Sequence, residues 1–275
     1  MTDKTAFGDR MKHYEMAEAG RRLMPLLPIC VRLDGKRFSA FTKGLARPYD
    51  VRLSRLMIDV THYLVAETQA LVGYTQSDEI SLVYHSNTYS SQVFFDGRIQ
   101  KLTSVLASMV TAKFGALLPE RIPERAGAMP LFDARVWNVP NQVEAANTLL
   151  WREQDATKNS ISMAARALYS HSALKGKNGR DMQEMMFGKG VNWNDYPAFF
   201  KRGTFVQRRK VSHPFTTEEL ALLPPKHEAH NNPDLMVERT EIRELEMPPF
   251  SKVINRVAVI FAGDDPQVAS PSPMV

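Results

Sequence analysis

Cysteine is nearly absent from this chain of 275 residues, in which Cys30 is the single example. One cysteine cannot form an internal disulfide or a thiolate zinc cluster, which excludes disulfide scaffolds of secreted proteins and zinc ribbons. The sequence also shows no apolar signal core near Met1 and no apolar run that reads as a membrane span. We therefore expect a cytoplasmic protein with no membrane association.

Glycine-rich phosphate loops are missing as well. Neither a Gly-x-Gly-x-x-Gly nor a Walker pattern occurs, and no serine lies in a nucleophile elbow. The sequence therefore supports neither a Rossmann cofactor site nor a P-loop. What remains, with 44% hydrophobic and 24% charged residues, is typical of a globular chain with one large domain or one domain and an appended piece.

Charge is distributed unevenly along the chain, although the net charge is only +5. Lys175–Lys210 holds nine Lys and Arg residues against three Asp and Glu, whereas Val211–Val275 holds five against ten. A basic stretch of this density indicates a polyanionic partner, and the alternative interpretation is a solvated surface rich in lysine.

Apolar runs of strand type alternate with apolar stripes at helical spacing. The predicted order is strand, helix, strand pair, helix, strand, helix, with strands at Pro28–Leu33, Ile80–Tyr84 and Phe132–Val139. Gly73–Glu79 has a turn-like composition. This order favours an α+β fold in which helices pack on one face of a mainly antiparallel sheet. Beyond Lys210 only Arg256–Phe261 has a strand-like pattern, and Asp264–Val275 is expected to be a loose tail.

Two acidic clusters lie where strands meet turns. Asp34 ends one strand, and Asp78 and Glu79 precede another, so these carboxylates converge if the strands are neighbours. Divalent cations prefer such oxygen ligands, and phosphoryl transfer uses two ions about 3.5 to 4 Å apart. Gly35 could add a backbone carbonyl, and Lys36-Arg37 could meet a triphosphate. The alternative is ordinary turn chemistry, for which Asp-Gly and Ser-Asp-Glu are common sequences.

Further segments accompany these clusters in a fixed order. They are Val31–Phe38, Arg47–Asp50, Tyr74–Ser81, a Phe-Asp-x-Arg strand at Phe132–Val136, a Trp-Arg-x-x-Asp helix at Trp151–Asp155, and Lys201–Thr204. Together they resemble the tRNA(His) guanylyltransferase family and its guanylyltransferase-like relatives. The resemblance extends from about Pro28 to about Lys210 and is far more specific than any of its motifs alone.

The resemblance implies a palm-like, ferredoxin-like α+β domain with a helical extension. It also implies a nucleotidyltransferase that extends RNA in the 3′-to-5′ direction with two Mg²⁺ ions. In the family, ATP activates the 5′-monophosphate of a tRNA as a 5′-adenylyl intermediate, and the 3′-hydroxyl of an incoming GTP then attacks that phosphate. A homo-oligomer, either tetramer or dimer, is the expected assembly.

Site residues carried over from the family fall into three groups. Asp34, Asp78 and Glu79 are the expected catalytic residues, with Asp34, Asp78 and the Gly35 carbonyl as metal ligands and Glu79 as their support. The expected nucleotide-binding residues are Asp34, Gly35, Lys36, Arg37, Phe38, Ser39, Asp50, Ser77, Asp78, Arg98, Lys101 and Asn159. From the motif helix and the basic stretch, the expected RNA-binding residues are Arg152, Lys158, Lys201, Arg202, Arg208, Arg209 and Lys210.

The sequence departs from the family at one motif. Enzymes dedicated to tRNA(His) carry His-Ile-Asn-Asn after the Trp-Arg-x-x-Asp helix, whereas this chain has Thr157–Ser160 there. This places the chain nearer the guanylyltransferase-like branch, which implies template-dependent repair of 5′-truncated tRNA. The alternatives are a dedicated tRNA(His) guanylyltransferase, a nucleotide cyclase on a palm fold, and a non-catalytic RNA-binding protein.

Three ranges describe the expected domain organisation. Residues 1–140 form the palm-like catalytic domain, and residues 141–210 form a basic helical extension that completes it. Residues 211–275 form an acidic segment to which the sequence assigns no role.

Overall fold

A computed structural model describes residues 5–91 and 93–269 of the chain. Its strands form one six-stranded sheet in the order β4-β1-β3-β2-β5-β6, and every neighbouring pair is antiparallel. The strands are β1 (Ile29–Gly35), β2 (Val72–Gln76), β3 (Glu79–Tyr84), β4 (Phe132–Asn138), β5 (Thr204–Pro214) and β6 (Met236–Leu245).

Helices connect these strands and cover the sheet. They are α1 (Ala6–Ala19), α2 (Phe38–Phe41), α3 (Val51–Thr68), α4 (Ile99–Arg121), α5 (Gln142–Leu168), α6 (His171–Leu174), α7 (Gly179–Phe187), α8 (Ala198–Arg202), α9 (Thr217–Ala221) and α10 (Arg256–Phe261). The run β1-α3-β2-β3-α4-β4, with the sheet order β4-β1-β3-β2, has the ferredoxin-like arrangement that the resemblance implies. The α+β class and the antiparallel sheet are therefore confirmed.

The sheet buries apolar side chains on both faces because alternate residues of a strand point to opposite sides. Val31 and Leu33 of β1 belong to a core cluster that contains residues of α3 and α4. Cys30, which precedes Val31 and so points to the opposite side, belongs to a second cluster with Leu149 of α5 and Val259 of α10. Helices α3 and α4 of the palm-like unit thus pack on one face of the sheet, as expected, and α5 and α10 cover the other face.

Helix α4 is long and apolar enough to cross a membrane by length and composition alone. Within this fold its stripe of Leu106, Val110 and Phe114 is fully buried in the same core as α3. The apolar composition of α4 is thus explained by its packing on β4 and α3.

Three sequence expectations differ from the structure. The turn-like segment Gly73–Glu79 is strand as far as Gln76, because Gly73, Tyr74 and Thr75 are all buried in a central strand, where polar composition does not reveal burial. Arg256–Phe261 is the short helix α10, since a run of five apolar residues does not distinguish strand from helix. The predicted loose tail begins as an extended segment in which Val268 bridges Val253, and its residues 270–275 lie outside the described residues.

The boundary expected at residue 210 falls inside strand β5. This strand begins in the predicted helical extension, pairs with β2, and continues into the acidic segment to pair with β6. The sheet thus takes strands from all three predicted ranges, and the acidic segment supplies its edge strand.

Candidate active site

Three acidic residues meet at one end of the sheet, as the sequence predicted for two neighbouring strands. Asp34 near the end of β1 is paired in register with Glu79 of β3 on one side and with Asp133 of β4 on the other. All three lie on the face that α5 covers, because Cys30 and Val83 have the same parity and face the α5 cluster.

A tight turn brings Asp78 to the same place. Gln76 pairs with Glu79, so Ser77 and Asp78 alone connect β2 to β3, and Ser77 has a φ of 55°. The amide of Gly35 donates a hydrogen bond of 3.1 Å to the carbonyl of Asp78, which ties the end of β1 to this turn. The structure therefore places Asp34, Gly35 and Asp78 side by side.

Gly35 is required by close approach of an aromatic ring. A Cβ atom at this position would lie 2.3 Å from Cδ2 of Phe38. The Phe38 ring itself packs against Phe114 and Phe132, with ring centroids 5.6 and 5.3 Å away. The side chain of Phe38 therefore belongs to the core, so only its backbone is available to a nucleotide.

Helix α5 closes the site from above the sheet. Arg152 donates from Nε and Nη2 to the two carboxylate oxygens of Glu79, at 2.6 and 2.7 Å. The same Nη2 donates to Asp155 at 3.0 Å, and Asn159 Nδ2 donates to Asp155 at 3.3 Å. These links fix Glu79 and Arg152 before any substrate binds, which agrees with a supporting role for Glu79.

Asp34 and Asp78 are not clamped in this way. Among the described residues, no cation lies within ion-pair distance of either carboxylate, and Asp78 accepts a side-chain hydrogen bond only from Ser77, at 3.0 Å. Burial raises the pKa of Asp78, to which the charge of Asp34 adds. Burial also raises the pKa of Asp34, and the neighbouring carboxylate of Asp133 raises it further. Such uncompensated, partly desolvated carboxylates are typical of functional sites.

These donors suit Mg²⁺ rather than a metal held by the protein alone. Within residues 5–91 and 93–269, no group of three His, Cys, Asp or Glu side chains forms a complete metal cage. Mg²⁺ is usually bound through one or two carboxylates together with substrate phosphates. Asp34 and Asp78, with the Gly35 backbone beside them, fit that pattern.

The carboxylates line an open cleft of about 450 Å³ between the β2-β3 turn and α5, which we call the carboxylate cleft. Its sheet side is formed by Asp34 and residues 76–79. Its helix side is formed by Arg152, Asp155, Asn159, Ser162, Met163 and Arg166. Asn159, predicted from the resemblance, thus lies in the same cleft as Asp34 and Asp78.

An apolar pocket of about 120 Å³ adjoins the cleft, and the two share Gln76, Ser77 and Met163. Its other walls include Tyr49, which packs on Phe200 at a centroid distance of 4.6 Å, and the exposed edge of Phe199. Aromatic walls with a few polar groups suit a planar, largely apolar ligand group such as a nucleobase. A nucleotide could therefore place its base here and its phosphates in the carboxylate cleft.

The remaining predicted nucleotide-binding residues differ in their surroundings. Lys36, Arg37 and Ser39 are exposed around the start of α2 and are free to approach a ligand. Asp50 lines the apolar pocket but is only 7% exposed. Its carboxylate caps α3 by accepting from the Arg52 amide at 3.0 Å and pairs with the Arg52 guanidinium at 2.8 Å. Asp50 therefore has a structural role that is sufficient to explain its position.

Arg98 and Lys101 lie at the other end of the sheet. The backbone of Arg98, just before α4 begins, forms an isolated β-bridge with Arg22. Farther along α4, the Thr111 hydroxyl accepts a hydrogen bond from the Phe132 amide, near the carboxylates. Thirteen residues of helix separate Arg98 from Thr111, which corresponds to about 20 Å. A single copy of the chain therefore does not bring Arg98 and Lys101 to Asp34.

Six of the seven predicted RNA-binding residues contact other parts of the described chain. Arg152 donates to Glu79, Arg202 lies 3.9 Å from Glu153, and Lys210 pairs with Glu238. Lys201 donates to the Asn194 carbonyl, and Arg208 donates to the Val65 and Ala66 carbonyls. Arg209 donates to the carbonyls of Gly263 and Asp264 and to the Asp265 carboxylate. Arg209 is only 5% exposed, so an RNA contact by its side chain is not supported. Lys158 on α5 is exposed and makes no such contact among the described residues.

The sequence analysis did not single out four residues of this site. Asp133 was noticed as part of a motif, but its pairing with Asp34 depends on the β1-β4 register. Ser162, Met163 and Arg166 follow Asp155 and Asn159 on one side of α5 at spacings of three and four. That helical spacing was the available signal, and it becomes informative only once Asp155 is known to face the cleft.

Comparisons with known proteins agree with this geometry. A family profile described as tRNAHis guanylyltransferase matches residues 8–140. The tRNA(His) guanylyltransferase of Neurospora crassa is 30% identical over 215 residues, covering 72% of this chain and 71% of that protein.

Two solved structures of bacterial proteins are also similar. A bacterial tRNA(His) guanylyltransferase-like protein in complex with ATP has a TM-score of 0.69 and 40% identity, covering 74% of this chain and 87% of that one. Another in complex with GTP has a TM-score of 0.69 and 34% identity, covering 90% of this chain and 95% of that one. With the motifs, the fold and these relatives in agreement, the chain belongs to the tRNA(His) guanylyltransferase family of nucleotidyltransferases.

Proposed function

We propose that this protein adds nucleotides to the 5′ end of tRNA in the 3′-to-5′ direction, with Mg²⁺, ATP and GTP. The observation that carries the proposal is the pair Asp34 and Asp78, two partly buried carboxylates that make no direct ion pair and lie beside a pocket with aromatic walls. The two bacterial relatives were solved in complex with ATP and with GTP, which supports both nucleotides as substrates.

The reaction has two steps that need the same arrangement. In the first, an oxygen of the RNA 5′-phosphate attacks the α-phosphorus of ATP and pyrophosphate leaves. In the second, the 3′-hydroxyl of GTP attacks the resulting 5′-adenylyl phosphate and AMP leaves. Asp34, Asp78 and the Gly35 backbone would hold Mg²⁺, which when bound stabilises attacking and leaving oxygens.

The protein's own residues orient the reactants. The apolar pocket between Tyr49, Phe199 and Met163 would hold the base of the adenosine group in both steps. Glu79, fixed by Arg152, would add negative charge beside Asp34 and so favour a metal ion there. The exposed Lys36 and Arg37, close to Gly35, would bind phosphate oxygens and offset the negative charge that develops on the leaving group.

Template-dependent repair of truncated tRNA is the branch of this activity that we propose. Thr157 offers a short hydroxyl, and the exposed Lys158 offers a point charge that suits phosphate better than base edges. Sequence information would then come from the opposite strand of the acceptor stem. A cytoplasmic location and a homo-oligomeric assembly complete the proposal.

A labelling experiment separates this function from its rivals. The protein is incubated with 5′-monophosphorylated tRNA, ATP, Mg²⁺ and GTP labelled at the α-phosphate, and the RNA is resolved on a denaturing gel. The proposal expects the label in full-length RNA. A nucleotide cyclase would convert the label to a cyclic nucleotide, and a non-catalytic RNA-binding protein would leave all of it as GTP.

A dedicated tRNA(His) guanylyltransferase is tested with a second pair of RNAs. Full-length tRNA(His) is compared with a tRNA of another identity that lacks its first nucleotide. Repair of the truncated RNA is expected here. Addition of a single G to tRNA(His), with no repair of the truncated RNA, would favour the dedicated enzyme.

A further inference from the structure

The carboxylate cleft carries opposite charges at its two ends. Asp34, Asp78 and Glu79 lie at the sheet end, whereas Arg166 lies farthest along α5 among the lining residues. Acidic groups at one end suit metal ions, and a cation at the other suits a phosphate group. This polarity would orient a ligand that has phosphates along its whole length.

Only one of the two arginines that line the cleft is available to a ligand. Arg152 is 12% exposed at its side chain and is bound by Glu79 and Asp155. Arg166 is exposed and makes no ion pair or hydrogen bond from its guanidinium among the described residues. Its donors are therefore available for a bidentate contact with a phosphate, which an arginine fork favours.

Arg166 is also part of a stripe on α5. Lys158, Ser162 and Arg166 are spaced by four residues, so they lie along one side of the helix. Lys158 and Arg166 are both exposed, and eight residues of helix separate their Cα atoms by about 12 Å. This length equals the axial rise of about three to four nucleotides of a duplex strand at about 3.4 Å each.

We propose that Arg166 binds a backbone phosphate of the RNA substrate, a few nucleotides behind the reacting 5′ end. Together with Lys158, it directs the RNA strand along α5 and away from the carboxylates. The inference rests on the proposed function for the identity of the RNA, and it assigns a role to a residue outside the family motifs quoted above.

Distance along α5 favours the RNA strand over the nucleotide. Arg166 lies 11 residues beyond Asp155, which corresponds to about 16 Å of helix. Asp155 is linked to Glu79 through Arg152, so its end of α5 marks the level of the carboxylates. The phosphates of a nucleotide held at Asp34 would lie at the Asp155 end of α5, whereas an RNA strand that runs along the cleft would reach Arg166.

The test compares the affinity of three variants for tRNA across a salt series. The variants are Arg166→Gln, Arg166→Lys and, as a matched control, Arg243→Gln on the edge strand β6, where Arg243 is exposed. The RNA is a 5′-monophosphorylated tRNA that lacks its first nucleotide, and binding is followed by fluorescence anisotropy. Thermal unfolding confirms that all variants fold.

Arg166→Gln is expected to lower the slope of log K against log salt by about one unit, because one phosphate contact is lost. Its KM for tRNA should rise about 10-fold while the KM for ATP and GTP stays unchanged, since one charge-assisted contact contributes roughly 1.5 kcal/mol. Arg166→Lys should restore the slope, and Arg243→Gln should leave it at the wild-type value.

Two results would overturn the inference. One is an unchanged slope and unchanged tRNA affinity in Arg166→Gln. The other is a higher KM for ATP or GTP with tRNA binding unaffected, which would assign Arg166 to the nucleotide. The salt slope is measured without turnover, so the first result tests the inference independently of the proposed function, which fails if the wild-type protein adds no nucleotide.

Discussion

Arg152 of α5 holds Glu79 of β3 through two hydrogen bonds of 2.6 and 2.7 Å, so one acidic residue of the site has a fixed partner while its neighbours have none. Asp34, directly opposite Glu79 in the register, lacks such a cation. The fold thus gives Glu79 a fixed partner, which suits a supporting role, and leaves Asp34 and Asp78 available to bind a metal.

Glu79→Gln is expected to reduce nucleotide addition by about 10- to 100-fold, because losses next to metal ligands are typically of this size. The Arg152 guanidinium keeps a neutral partner in this variant but loses the opposing charge. Single-turnover rates against wild type measure the effect. A loss as complete as that of Asp78→Asn would show that Glu79 is itself a ligand.

Asp34→Asn and Asp78→Asn are each expected to abolish nucleotide addition without unfolding the protein. Burial raises the pKa of both carboxyls, so their charged forms oppose folding at neutral pH. Melting temperatures measured at pH 7 with EDTA should therefore equal or exceed that of the wild type.

Mg²⁺ provides the control for these two variants. The ion should raise the melting temperature of the wild type and have a smaller effect on either variant, because ligands that bind only the folded state stabilise it. Near-normal activity in Asp78→Asn would contradict the assignment of the metal site.

Asp50→Asn is expected to lower stability in a pH-dependent manner. The Arg52 guanidinium lowers the pKa of Asp50 below its usual 3.8, so the ion pair stabilises the fold above that pH and this contribution is lost as the pH falls through the lowered value. The difference in melting temperature between wild type and variant should be largest near pH 7 and disappear in strong acid.

Asp50→Ala should cost about 0.5 to 2 kcal/mol through loss of the α3 cap, whereas Asn retains a cap. The KM for ATP serves as the second measurement. If Asp50→Asn raises this KM strongly at unchanged stability, Asp50 contacts the nucleotide, as the family resemblance implies.

Arg209→Gln is expected to destabilise the protein by about 1 to 3 kcal/mol, because the carbonyl oxygens of Gly263 and Asp264 would lose a buried donor. Lys210→Gln is the matched variant, since Lys210 is 79% exposed at its side chain and is expected to change stability by less than about 0.5 kcal/mol. Urea unfolding measures both. An Arg209→Gln protein that is as stable as the wild type, with a smaller slope of log K for tRNA against log salt, would instead show that Arg209 contacts RNA.

The sequence predicted those parts of the fold that depend on local pattern. Val31 and Leu33 identify β1 because they are buried on one face, and Asp34 follows them at the strand end. The convergence of Asp34 with Asp78 followed from pairing neighbouring strands, which the register confirms through Glu79.

Parts that depend on long-range pairing could not be predicted in this way. Strand β6 is mostly exposed, so it has no apolar alternation to detect, and β5 was obscured by its basic residues. The charge of the basic stretch predicts an RNA contact at Arg208. Charge alone does not reveal that the Arg208 guanidinium donates hydrogen bonds to the Val65 and Ala66 carbonyls. The availability of a charged side chain depends on its partners in the fold and is not encoded in local sequence.

Template-directed addition at the 5′ end is tested most directly with four tRNAs that lack their first nucleotide and differ only in the base opposite the gap. Each is incubated with the protein, Mg²⁺ and all four nucleoside triphosphates, and the products are read at nucleotide resolution. The account predicts that the added nucleotide is complementary to the opposite base in every RNA and that Asp78→Asn adds none. Addition of G regardless of the opposite base, or no addition at all, would contradict it.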